Sequence, residues 1–178
     1  MRFDKLTTKF QQAVSDAQSA AVGNDNPYIE PQHLLLSLIN QDDGGTASIL
    51  ARAGVNVAAL KQALHKSIER LPKVEGHGGE VSISRDLNNL LNITDKEALK
   101  RNDAFIASEM FLLALADDKG DTGRLLKENG ANRASLEQAI TAVRGGESVQ
   151  NPEAEGGREA LKKYTIDLTE RARQGKLD

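Results

Sequence analysis

Asp103-Ala-Phe-Ile-Ala-Ser-Glu-Met-Phe-Leu-Leu-Ala-Leu115 reads as a polar turn, a helix start and a helix that is mostly apolar. A helix apolar on nearly every face is one enclosed by others. Seventy-seven positions earlier stands Asn26-Pro-Tyr-Ile-Glu-Pro-Gln-His-Leu-Leu-Leu-Ser-Leu38. There Ile29, Leu35, Leu36 and Leu38 match Ile106, Leu112, Leu113 and Leu115, and Tyr28 faces Phe105. The preceding helices repeat as well, with Phe10, Ala13, Val14, Ala17 and Ala21 against Leu87, Leu90, Leu91, Thr94 and Ala98. After one deleted residue the offset is 76, and Leu50, Gly54, Asn56, Leu60 and Ala63 match Leu126, Gly130, Asn132, Leu136 and Ala139. The expected fold is all-α: a tandem repeat of a four-helix unit, closed into one pseudo-twofold, eight-helix domain. One such unit alone buries little surface, so the two copies share a core.

Punctuation along the chain gives the boundaries. Gly23-Asn24-Asp25-Asn26-Pro27 ends the first helix, Pro31 suits a first helical position, and Asn56 and Ser84 are good N-caps. Repeat 1 covers about 6–71 and repeat 2 about 83–146, joined by a glycine-containing linker, so the domain is placed at 1–146. Residues 147–158 are nearly devoid of apolar side chains and read as a flexible tether. Residues 159–178 are amphipathic again, with Leu161, Tyr164, Ile166, Leu168 and Ala172 wanting a partner surface.

Composition narrows the function classes. A net charge of -3 gives no basic footprint for nucleic acid. Without Cys there are no disulfides and no thiolate metal sites, which fits a reducing compartment. No apolar run approaches the roughly 18 residues of a membrane span, and the first residues lack a signal-peptide apolar region, so a cytoplasmic location is expected. No GxxxxGK[ST] loop, GxSxG elbow or HExxH pair occurs. The three His, at 33, 65 and 77, share no helix face, so no metal or cofactor site is expected.

The two copies serve as an internal control. Where one is polar and the other apolar, the position reads as exposed. Ile93 aligns with Asp16 and Met110 with His33; with Leu91, they are expected to line an apolar groove. Asp103 and Glu109 flank the helix start, where a carboxylate gains about 0.3–1 kcal/mol from the helix dipole, and Thr7 opens the first helix as a cap.

The duplicated unit with Ile29-Glu-Pro-Gln-His-Leu-Leu-Leu and Phe105-Ile-Ala-Ser-Glu-Met-Phe-Leu-Leu resembles the Clp N-terminal repeat domain. Leu161-Lys-Lys-Tyr-Thr-Ile-Asp-Leu-Thr-Glu-Arg-Ala-Arg-Gln-Gly-Lys-Leu-Asp178 is similar to the entry of the first AAA+ module in ClpB-type disaggregases. The resemblance implies a mobile N-terminal domain of a homo-hexameric ATPase ring that extracts unfolded or aggregated polypeptides and works with a DnaK-type chaperone system. It implies ATP and Mg2+ in the full-length protein but no catalysis, cofactor, membrane or nucleic acid in these residues. It also implies chaperone roles for Thr7, Asp103 and Glu109 as polar surface positions, and client contact at Leu91, Ile93 and Met110. Docking of an adaptor protein, as in the ClpA and ClpC branches, and a regulatory cap on the ring remain the alternatives.

Overall fold

Apolar residues spaced by three and four make Thr8–Gly23 the first helix, α1, which turns Phe10, Ala13, Ala17 and Ala21 inward. The computed structural model describes residues 2–75, 79–156 and 158, so His77 and the expected AAA+ entry, 159–178, lie outside the described residues. After α1 come α2 (Pro31–Ile39), α3 (Gly45–Arg52) and α4 (Val57–Glu69). The second unit supplies α5 (Arg85–Lys100), α6 (Ser108–Ala116), α7 (Asp121–Glu128) and α8 (Arg133–Arg144). A turn of 3-10 helix at Phe3–Lys5 precedes them.

The caps repeat with the helices. Thr7 accepts from the Phe10 N–H at 3.2 Å and Ser84 from the Leu87 N–H at 3.1 Å, while Asn56 and Asn132 cap α4 and α8. Asp25 and Asn102 both take the left-handed conformation, at φ 56° and 59°. The units cross reciprocally: Thr7 N–H donates to the Ile106 carbonyl at 3.0 Å and Ser84 N–H to the Ile29 carbonyl at 3.1 Å. Around the second crossing, β1 (Tyr28–Ile29) and β2 (Ser82–Ile83) form a short parallel pair in the register Tyr28 to Ser82. These strands lie outside the all-helical expectation; they satisfy backbone groups where the two segments of the chain pass.

α6 is the centre. All nine of its residues are buried, and it packs on α5, α7, α8 and, across the repeats, on α3. α2 buries eight of nine in the matching position. Phe10 and Phe111, one from each repeat, meet with ring centroids 6.3 Å apart at 53°. The core is thus common to both units.

At the end of α7, Gly130 sits at φ +109°, and a Cβ there would lie 2.8 Å from the Gly54 carbonyl oxygen of the other repeat. Gly130→Ala should therefore destabilise the domain by about 1–3 kcal/mol from backbone strain alone, and more through the clash. Gly145, at φ +63° in open space, should tolerate alanine at about 1 kcal/mol. Urea unfolding of the two variants checks this contrast; equal losses would contradict it.

Candidate functional site

The structure separates the six residues that the sequence grouped into two surfaces. Ile93 is 42% exposed, whereas Leu91 and Met110 are 1% and 0% exposed in the core. Helix geometry explains the first split. At 100° per residue, Leu91 and Ile93 point about 200° apart and cannot share one face of α5. Met110 belongs to the enclosed helix α6. Its counterpart His33 is buried too, its Nδ1 accepting from the Glu30 N–H and its Nε2 bonded to the Asn26 side chain, both at 2.9 Å. Burial lowers the His33 pKa to about 4, so the ring is neutral. The polar–apolar difference at this position marks a rewired interior, not a surface.

Ile93 opens onto a groove of about 310 Å³ between the repeats. Its walls include Pro31 from the start of α2, Leu71 beyond α4, Leu90 and Ile93 of α5, and Thr122 of α7. Glu30, Asp86, Asp118 and Asp121 also border it, with no Lys or Arg among its described lining residues. The groove is short and mixed in character, with an apolar strip of Pro31, Leu71, Leu90 and Ile93 set among acidic and amide side chains. Leu90 and Leu71 were missed because a core-facing stripe and a helix end carry no separate groove signal in sequence.

Thr7, Asp103 and Glu109 do come together, but under cover. The expectation of an exposed polar surface is corrected: their residues are 0%, 9% and 1% exposed. Thr7 is held by its place as the α1 cap, Asp103 by the turn before α6, and Glu109 by the first turn of α6. Arg144, at the end of α8, enters between the carboxylates. Its two Nη atoms reach the Asp103 oxygens at 3.0 and 2.9 Å, and its Nε reaches Glu109 Oε1 at 3.0 Å. This planar fork engages both acids at once. Burial opposes ionisation of Glu109, but the charges of Arg158 and Arg144 outweigh it and hold the carboxyl below its usual range. Arg144 responds in kind: burial opposes its charge, yet Glu109 and Asp103 raise its pKa.

The cover is the stretch read as a flexible tether. Val149 is 3% exposed, its N–H donates to Asp103 Oδ1 at 2.9 Å and its carbonyl accepts from Ala104 at 2.8 Å. The Thr8 N–H donates to the Pro152 carbonyl at 2.9 Å. Glu155 accepts from the Thr7 hydroxyl and from the Ser108 N–H and hydroxyl, the last two at 3.1 and 3.2 Å. Arg158 reaches Glu109 Oε1 at 3.0 Å. Low apolar content signalled freedom, but this segment is seated by polar groups instead. Arg144, Glu155 and Arg158 were missed for that reason, since no local pattern announces a cation serving acids 35 and 41 positions away.

Residues 5–129 match the Clp repeat (R) N-terminal domain family. Over 178 residues the chain is 51% identical to the chaperone protein ClpB of Vibrio cholerae, covering 100% of this chain and 21% of that one. It thus spans about a fifth of the length of the curated relatives it matches. The N-terminal domain of Hsp104 from Candida albicans shares the fold with TM-score 0.73 at 19% identity, covering 85% of this chain and 99% of that one. So does a ClpV N-domain in complex with a VipB peptide, with TM-score 0.60 at 22% identity, covering 78% and 86% respectively.

Proposed function

The chain belongs to the Clp repeat N-terminal domain family, and on that premise we propose that it is the client-engaging domain of a ClpB-type protein disaggregase. The observation that carries this reading is the 51% identity to a ClpB along all 178 residues. The repeat boundary supplies the surface: a groove with an apolar strip of Pro31, Leu71, Leu90 and Ile93, the last of them exposed. It takes short apolar segments that folded proteins hide and unfolded or aggregated ones display. The remaining parts of this reading are an ATPase ring of six such chains that binds ATP and Mg2+ outside these residues, cooperation with a DnaK-type system, and a cytoplasmic location.

Magnitudes restrict the binding. A client segment burying roughly 300–400 Å² of apolar surface gains about 8–10 kcal/mol, against an association cost of about 4–15 kcal/mol. One domain therefore binds weakly, and six tethered domains retain a client through effective concentration. Leu91 and Met110 contribute from behind, by fixing α5 and α6, while Ile93 makes contact.

Ile93→Asp should weaken binding of an unfolded polypeptide about tenfold, the effect of losing roughly 1.5 kcal/mol of apolar burial. Its melting temperature should stay near wild type, because Ile93 is 42% exposed. Fluorescence anisotropy with a labelled, permanently unfolded protein measures this. An unchanged affinity would remove the groove from the account.

A further inference from the structure

Residues 149–156 and Arg158 lie over a face built from Thr7, Asp103, Ser108 and Glu109, and polar atoms do most of the holding. Comparison of the repeats isolates what is special here. Where the chain leaves α4, the Asn26 amide donates to the Pro72 carbonyl at 3.0 Å; where it leaves α8, Asp103 accepts from the Val149 N–H at 2.9 Å. The helix that follows each site carries Gln32 in the first repeat and Glu109 at the equivalent place in the second. Two neutral amides thus suffice to form this part of the fold. Replacing them by two buried carboxylates brings a desolvation cost that folding does not require. In exchange, the second site binds its crossing segment through charge.

We propose that residues 149–156 with Arg158 form a releasable clasp, which alternates between this seat and solvent and uncovers the Thr7–Asp103–Glu109 face on release. Glu155 is the part that can let go. Its carboxyl is bonded by the Thr7 hydroxyl and by Ser108, beside Glu109. Near it are Glu109 of α6, Lys9 of α1, Asp43 before α3 and Arg158 of the clasp itself, and Glu109 is joined through Arg144 of α8 to Asp103. Arg144 and Arg158 are already engaged by Asp103 and Glu109, and Lys9 is paired with Asp43 at 2.5 Å. An ionised Glu155 therefore adds a negative charge that the cluster does not balance. Burial first, and then the Glu109 charge, push its pKa up from 4.5 to about 7, against the pull of the Thr7 and Ser108 hydrogen bonds. A group raised in the seated state favours seating fully below its free value and loses that contribution as pH rises through the seated value. The clasp thus tightens toward pH 4.5 and loosens up to about pH 7.

None of the described clasp residues lines the Ile93 groove, so this inference stands apart from the client-binding reading. The test follows the Ser108 and Val149 amides of the 178-residue chain by NMR between pH 5.5 and 7.5. In the unmodified chain the seated-to-released ratio should fall roughly tenfold or more over that range, as follows from the separation of the two pKa values. Glu155→Gln, which keeps a neutral acceptor, should stay seated throughout, and Glu155→Ala should be released throughout. Neither change touches the core, so folding is retained. A Val149 resonance that keeps its position in Glu155→Ala, or an unmodified Ser108 resonance that does not titrate, would overturn the proposal.

Discussion

Replacing Arg144 by methionine is expected to destabilise the domain by about 3–5 kcal/mol, the scale for leaving buried charges without their partner. The Arg144 side chain is 7% exposed and those of Asp103 and Glu109 are 0% exposed, so water cannot take over the lost bonds. Arg158 still reaches Glu109, and its described hydrogen bonds both go to that carboxylate, which leaves Asp103 without a guanidinium. The pH dependence should change sign. In the unmodified chain, Glu109 is held below its usual range, so its contribution is present above about pH 4.5 and fades as pH falls. In Arg144→Met, Glu109 loses one of the two cations that hold it ionised, its folded pKa rises, and the penalty shrinks on acidification. Urea unfolding at pH 7 and pH 5 reads both effects. Adding Asp103→Asn and Glu109→Gln recreates the amide pair of the first repeat, Asn26 and Gln32, and should recover most of the loss. If Arg144→Met unfolded at the unmodified midpoint, the buried ion network would have no energetic role.

Phe111→Ala should cost about 3–5 kcal/mol, the usual range for emptying a buried aromatic site. Phe111 and Phe10 are both 0% exposed, and they touch across the repeat boundary. Against a total stability of about 5–15 kcal/mol for a domain, that loss is large. The same contact predicts how unfolding proceeds. Probes in α1 and α8 should report one transition, shifted equally, because neither unit keeps a core when the shared one fails. A double-mutant cycle of Phe111 with Phe10 should show a coupling of about 0.5–1.5 kcal/mol beyond area burial. Two separable transitions, with α1 unaffected by Phe111→Ala, would mean that the repeats fold independently.

The repeat was legible because the same side chains solve the same packing problem twice. Ile29 and Ile106, Leu35 and Leu112, and Thr7 and Ser84 have matching burial or capping roles in the folded chain. Asp16 and Ile93 also worked as a control, since both are exposed and only a surface tolerates that exchange. His33 and Met110 show where the control stops. A polar residue inside can be satisfied by hydrogen bonds, here from the Glu30 N–H and to Asn26, so variation does not by itself mean exposure. Placing Leu91 beside Ile93 neglected their angular separation on one helix. Placing Thr7, Asp103 and Glu109 on the surface neglected a segment that begins at Val149, well beyond the end of α6 at Ala116. Its bonds to them, through Val149, Glu155 and Arg158, have separations from 46 to 148 residues. Long-range polar contacts leave no periodic trace, and the low apolar content of 147–158 pointed the other way.

The central functional claim is that exposed apolar segments bind at the boundary of the two repeats. The most direct measurement is an NMR titration of the isotope-labelled chain with a permanently unfolded polypeptide. Amide shifts should concentrate at Leu71, Leu90, Ile93 and Thr122, grow without saturating at low micromolar client, and vanish in Ile93→Asp. Shifts confined to residues away from this groove would contradict the claim.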